Sequence, residues 1–187
     1  MEPEPLSALE RAAAEFAALL PGIAPDRLTA ATLCAEWDLR ALLNHVVRGT
    51  LMYCSVVRAT SEPDRALDYL GDDIAAAFAS ASAEFAALMA VPGALERLYE
   101  GRRGPSSGER LVGMRILEYL VHGGDVANAT GQAYSPPDDL VDACIALALE
   151  SEAERPRGAD GPYAAALPVV PGARSAARLA AFFGRQP

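Results

Sequence analysis

The chain has 187 residues, 51% of them hydrophobic, and a net charge of −9 from 25 acidic against 16 basic residues, the basic ones all arginine. That length suits one sizeable domain and is short for two with a linker, and so acidic a surface repels a phosphate backbone, which excludes nucleic acid as an expected partner. Alanine and leucine dominate, β-branched residues are scarce, and no run of about 18 uncharged apolar residues occurs, so an all-α chain without a membrane span is expected.

The acidic start MEPEPLSALERAAAEF lacks the basic-then-apolar order of a signal peptide, which predicts a cytoplasmic protein. The segment PLSALERAAAEFAALL predicts a first helix, with Ser7 as its cap, Glu10 three residues on as in a capping box, and Pro21-Gly22 as its stop. GIAPDRLTAATLCAEWD holds no helical period and predicts a crossing loop. Asp38 then caps a second helix over LRALLNHVVRGTLMYCSVVRA, with Leu42, His45, Gly49, Met52 and Val56 on one inward face. SEPDRALDYLGD predicts a turn with one short helical piece, and DDIAAAFASASAEFAALMA a third helix ended by Pro92-Gly93.

GRRGPSSGER reads as a loop, because Gly, Pro and Ser crowd its ten residues. RLVGMRILEYLVHGGDVANATG predicts a fourth long helix stopped by Gly131 and weakened internally by Gly123-Gly124, each costing about 1 kcal/mol against alanine. SPPDDLVDACIALALESEAE predicts a fifth helix with acidic residues in its first turn. RPRGADGPYAAALPVVPGA is rich in Pro and Gly, and SAARLAAFFGRQP predicts a short closing helix. Together these describe a helical bundle, one unit over 1–187 with a core of about 5–150 and a C-terminal extension over 151–187.

Three cysteines, Cys34, Cys54 and Cys144, are too few and too widely spaced for a disulfide framework or a paired-cysteine metal motif. Cys34, in the crossing loop, is the one to check for reactivity.

The chain has only two histidines, His45 and His122. His122 lies four residues after Glu118, a spacing that most often makes a surface pair worth about 0.2–0.5 kcal/mol. On an inward face, however, the two side chains converge on one point, and a buried carboxylate needs a partner or a metal. If the second and fourth helices are neighbours, His45 joins them. Two imidazoles and one carboxylate suit zinc or a similar divalent metal, and three protein ligands leave a position open, as in catalytic sites. Asp125 is a candidate to orient a ligand from behind, and Arg48 and Arg115, each three residues from a ligand, are candidates to hold a substrate carboxylate. Trp37 reads as a packing anchor beside the Asp38 cap.

These residues resemble a known family. TLCAEWDLRALLNHVVRG is similar to the T-x-C-x-x-W-x-x-x-x-L-x-x-H helix entry of the DinB-like, mycothiol-dependent maleylpyruvate isomerase superfamily. LEYLVHGGDVANATGQ resembles its E-x-x-x-H-G-W-D-x-A-x-A-T-G segment, and RLAAFFGRQP the closing L-L-A-x-x-G-R-x-P of a small actinobacterial metal-binding subgroup. The resemblance implies a DinB-like four-helix bundle with short additional C-terminal helices. It also implies a metal, usually zinc, held at His45, Glu118 and His122, whose open position receives mycothiol or another low-molecular-weight thiol. This chain departs from the pattern at Gly124, where the family usually has tryptophan, and it lacks the separate C-terminal domain of the full-length isomerases.

Three functions follow as expectations. The first is a thiol-dependent transferase or isomerase acting on a small electrophilic molecule. The second is a non-catalytic metal-binding or small-molecule-sequestering protein, and the third a thiol-independent metalloenzyme of a biosynthetic pathway. In each the expected partner is a small-molecule substrate, and the chain acts as a monomer or homodimer.

Overall fold

The computed structural model describes residues 4–34, 37–102, 104–154, 157 and 164–185, the side chains of 152–154 excepted. Most of the Pro- and Gly-rich stretch 155–163, Arg103 and the last two residues of the closing motif lie outside the described residues.

The frame is a bundle of α1 (Pro5–Ala17), α2 (Leu39–Arg58), α3 (Ile74–Met89) and α4 (Gly108–Thr130), in which α1 packs on α4 and α3, and α2 on α3 and α4. Two further helices, α5 (Asp138–Glu154) and α6 (Ser175–Phe182), pack on α4 and on each other. This is the helical bundle with additional C-terminal helices that the sequence predicts. None of the described helices is long and apolar enough to cross a membrane.

Local sequence explains most helix ends. The Asp38 carboxylate accepts the Ala41 N–H at 2.8 Å to start α2, Asp73 accepts Ala76 at 2.9 Å to start α3, and Ser107 accepts Arg110 at 3.2 Å to start α4. Gly131 ends α4 in the left-handed conformation, φ +73°. The capping box expected for α1 does not form: Glu4 occupies the cap position without a side-chain bond, because Pro5 at the first helical position starts the helix three residues earlier. The crossing loop holds one short 3-10 turn, Pro25–Thr29, and 61–73 contains no helical piece.

The stretch read as a loop, GRRGPSSGER, instead completes an antiparallel hairpin of β1 (Leu98–Gly101) and β2 (Gly104–Ser107), in register from Leu98 opposite Ser107 to Gly101 opposite Gly104. Its composition hides it, since neither strand carries a β-branched residue or a hydrophobic alternation.

The centre of the bundle is aromatic. Phe16 and Phe78 lie 4.7 Å apart between ring centroids, and Phe78 meets Tyr119 edge-on at 5.2 Å. The Tyr119 hydroxyl is within 3.1 Å of Thr50, so this buried phenol is satisfied. Of the expected inward face of α2, Leu42 and Gly49 are buried with Leu39, Leu43, Val46, Val47 and Cys54, while Met52 and Val56 are only partly buried and His45 sits at the core's edge. Cys54 and Cys144 are buried free thiols whose pKa is pushed up to about 12, chiefly by burial, and behave as small hydrophobes.

Candidate metal centre

Three turns of α4 carry a row of ionisable groups into the bundle: Arg115, Glu118, His122 and Asp125. Arg115 is 3% exposed, His122 7% and Asp125 0%. Helical spacing stacks them on one face, and α2, packed alongside, supplies His45 from its second turn.

One carboxylate oxygen is the meeting point. Glu118 Oε2 lies 3.2 Å from His45 Nε2 and 3.3 Å from His122 Nε2. The same oxygen is 3.8 Å from Arg115 Nη2. Ligand atoms about 2.0–2.2 Å from a tetrahedral zinc stand about 3.3–3.6 Å apart, so the two separations to Glu118 fit the edges of such a site. Burial on its own would raise the Glu118 carboxyl, but bonds from His122 and His45, helped by the Arg115 charge, outweigh it and hold the group well below its usual value.

Asp125 supports the cluster from behind. Its Oδ2 lies 2.9 Å from His122 Nδ1, which directs the other ring nitrogen at Glu118. Asp125 is itself clamped by Arg185, through Nε at 2.7 Å and Nη2 at 3.1 Å, from the chain just beyond α6. Burial would lower the His122 pKa, yet its bonds to Asp125, Cys34 and Glu118 raise it well above the ordinary imidazole value. Cys34, half-buried, puts its thiol 3.5 Å from Asp125 Oδ2 and 3.7 Å from Arg185 Nη2. Cys34, His122 and Asp125 are a second close group of ligand-type atoms. There both Asp125 oxygens are already taken by His122 and Arg185, so this trio is the poorer cation cage.

Trp37 forms a wall of the cluster, its ring 4.4 Å from His45 and 6.2 Å from His122 between centroids. It therefore does more than anchor the bundle end. Thr32 fixes this approach: its hydroxyl donates to the Trp37 carbonyl at 2.8 Å and accepts the Cys34 N–H at 3.1 Å.

The two candidate arginines differ. Arg115 lies over the Tyr53 ring at 4.4 Å, and its Nε and Nη1 are buried without a hydrogen-bond partner among the described residues. Gly49 makes room for it, since a Cβ there would sit 3.0 Å from Nη1. Arg48 is half-buried on α2 and has no ion pair among the described residues. The structure thus brings His45, Glu118, His122, Asp125 and Arg115 together.

Sequence reasoning missed Arg185, the contact of Trp37 with His45, and the packing of Cys34 on Asp125. Their signals were present in the T-x-C-x-x-W entry and the closing G-R-x-P pattern, but neither has a helical spacing that points at α4.

Comparison with known proteins identifies relatives of this chain. The sequence profile of the mycothiol maleylpyruvate isomerase N-terminal domain matches residues 9–127. Two uncharacterized proteins of Mycobacterium tuberculosis, from strains CDC 1551 / Oshkosh and H37Rv, are each 32% identical over 182 residues, covering 97% of this chain and 98% of theirs. The crystal structure of the mycothiol-dependent maleylpyruvate isomerase superposes with a TM-score of 0.64 over 80% of this chain and 70% of that one, at 12% identity, a likeness of fold. The structure of a histidine-to-alanine mutant of that enzyme gives the same values.

Proposed function

The chain belongs to the mycothiol maleylpyruvate isomerase N-terminal domain family, and on that footing we propose that it is a metal-dependent enzyme using a low-molecular-weight thiol of the mycothiol kind on a small electrophilic substrate. The reaction is thiol transfer or isomerisation. The whole of 1–187 works as one helical-bundle unit, its core carrying the centre.

The observation that carries this reading is the convergence of Glu118 Oε2 with both histidine Nε2 atoms, at 3.2 and 3.3 Å. His45, Glu118 and His122 would hold a divalent metal, zinc by the softness of the donor set. Bound there, such a metal stabilises the thiolate form of a thiol, the nucleophile for an activated double bond or other electrophilic carbon. The chain's own groups do the rest. Asp125 keeps a proton on His122 Nδ1 and so leaves Nε2 free to ligate. Trp37 covers one side of the cluster and limits water around His45. Arg115, with two unpartnered N–H groups, and Arg48, without an ion pair among the described residues, supply positive charge for a substrate carboxylate.

Metal analysis of untagged protein tests the reading. About one equivalent of zinc, lost in His45→Ala, is expected; less than about a fifth of an equivalent, unchanged by His45→Ala, overturns it. Kinetics with thiol and electrophile then separate the functions. Rate that rises with added thiol and vanishes in Glu118→Ala supports the transferase or isomerase. Bound metal without turnover assigns sequestration, and turnover indifferent to thiol assigns a thiol-independent metalloenzyme.

A further inference from the structure

Gly123 and Gly124 are adjacent in the interior of α4, where glycine weakens a helix relative to alanine. Their surroundings explain only the first. A Cβ on Gly123 would lie 2.8 Å from the Tyr134 hydroxyl, which crosses the helix there to donate to the Leu120 carbonyl at 2.9 Å. A Cβ on Gly124 would meet only the Tyr134 ring, at 3.8 and 3.9 Å, an ordinary contact. Nothing crowds Gly124. What its missing side chain leaves is space.

That space is a cavity of about 410 Å³ between α4 and α6, walled by Leu33, Val121, Ala127, Ala177 and Ala180. Its floor is the Asp125–Arg185 pair, so the Asp125 carboxylate stands between the cavity and His122. The cavity does not collapse because α6 is pinned at two places. Arg178 reaches back to Asp138, at 3.3 Å, and to Asp142 on α5, while Arg185 grips Asp125 on α4.

We propose that this cavity binds a neutral, largely apolar small molecule, at a site distinct from the His45–Glu118–His122 cluster. The volume falls in the range of about 300–1,000 Å³ typical of small-molecule pockets. The walls are mostly alanine, leucine and valine, joined by Tyr134 and Gln132, whose side chains bond to the Leu120 and Leu19 carbonyls, so they offer mainly apolar contact. Asp125 and Arg185 are the charged residues among those lining it, and they are tied to each other by two bonds of 2.7 and 3.1 Å. An ionic ligand would have to compete with that pair, whereas a neutral one need not. Asn128, exposed at the cavity and without a side-chain partner among the described residues, offers one hydrogen bond. Binding in this cavity needs no metal and is read in the metal-free protein.

Indole is the probe, because a tryptophan introduced at 124 would place the same ring system in the cavity from the helix side. In a titration of the full chain followed by amide NMR, saturable shifts are expected at Gly124, Ala127, Ala177 and Ala180, with a dissociation constant of about 1 mM for so small a ligand. Gly124→Ala should retain the binding. Gly124→Trp should weaken it by about tenfold or more, and Ala180→Phe, filling the cavity from α6, gives the same answer if the first variant does not fold. Indole-3-carboxylate should bind about tenfold more weakly than indole. Absence of saturable shifts, shifts centred on the exposed Val169–Val170 surface, undiminished binding in both filled variants, or tighter binding of the carboxylate would each overturn the proposal.

Discussion

Two faces of α4 are built on opposite terms. Toward α2, residues 115–125 bury an arginine, a histidine and an aspartate and half-bury a glutamate. Toward α6, the same turns present Val121, Gly124 and Ala127 and leave a cavity of about 410 Å³. Polar burial costs desolvation, and unfilled space forfeits packing contacts, so both faces work against stability. The cost is met elsewhere, in the aromatic centre where Phe16, Phe78 and Tyr119 interlock and in the aliphatic face of α2. Departures from best packing are thus concentrated on two sides of one helix, the pattern expected where local rules are broken at working sites.

The largest effects should come from the polar face. Glu118→Ala is expected to weaken zinc binding by about a thousandfold, because the oxygen shared by both histidines is the only anionic donor of the set. Chelator competition measures this, and Trp37 reports it directly, being the chain's single tryptophan and 4.4 Å from His45. Affinity equal to wild type would reduce the polar face to a structural ion-pair network. Asp125→Asn and Arg185→Ala should each cost about 10–100-fold in metal affinity, since they loosen His122 without removing a donor to the metal. Arg185→Lys should recover only part of that, because a lysine ammonium cannot reproduce the two-point grip on Asp125.

The sign of the pH dependence follows from the same face. In the metal-free protein Asp125, Cys34 and Glu118 raise the His122 pKa well above its ordinary value, so the ring holds both protons near neutrality. Glu118 and Asp125 are shifted the other way and stay ionised there. Zinc binding must therefore expel the Nε2 proton. Affinity should rise about tenfold per pH unit up to the raised His122 pKa and level off above it. Calorimetry near neutral pH in two buffers of different ionisation enthalpy should count about one proton released per metal. A count of zero would mean that His122 is already neutral and the polar face less tightly coupled than its distances imply.

The contrast between the faces also explains how much could be read from the sequence. Helix periodicity and two of the helix ends were legible: Asp38 and Gly131 act through local geometry, which spacing reveals. The polar face was legible because 115, 118, 122 and 125 lie on one helical stripe, and His45 was the one other histidine available to join it. Arg185 was hidden, since its partner Asp125 is 60 residues away and nothing local links them. The hairpin was hidden by its glycine, proline and serine composition, and its strands are defined only by the ladder between them. The cavity could not be read at all, because a void belongs to how α6 settles on α4. Gly124 gave its one trace, as a departure from the family pattern without a stated reason.

The two glycines give the smallest test and the one that most directly compares crowding with emptiness. Gly124→Ala should stabilise the protein by about 0.5–1 kcal/mol, because alanine is the better helix former and its Cβ meets only ordinary contacts at 3.8 and 3.9 Å. Gly123→Ala carries the same propensity gain, yet its Cβ would sit 2.8 Å from the Tyr134 hydroxyl. Tyr134 would have to swing out and release its bond to the Leu120 carbonyl. Lost packing and the released hydrogen bond should turn the balance to a net loss of about 1–2 kcal/mol. Denaturant melts of the metal-free protein would then show opposite shifts for one methyl group added at adjacent positions. Equal gains would mean that Tyr134 yields without cost, so that Gly123 is no more constrained than its neighbour. A loss at both would mean that α4 needs a bare backbone at 124 in the folded state itself, and the open face would then be a demand of packing. A gain at 124 alone leaves a helix that forgoes available stability at the position where its cavity opens, as a site kept clear for a ligand would.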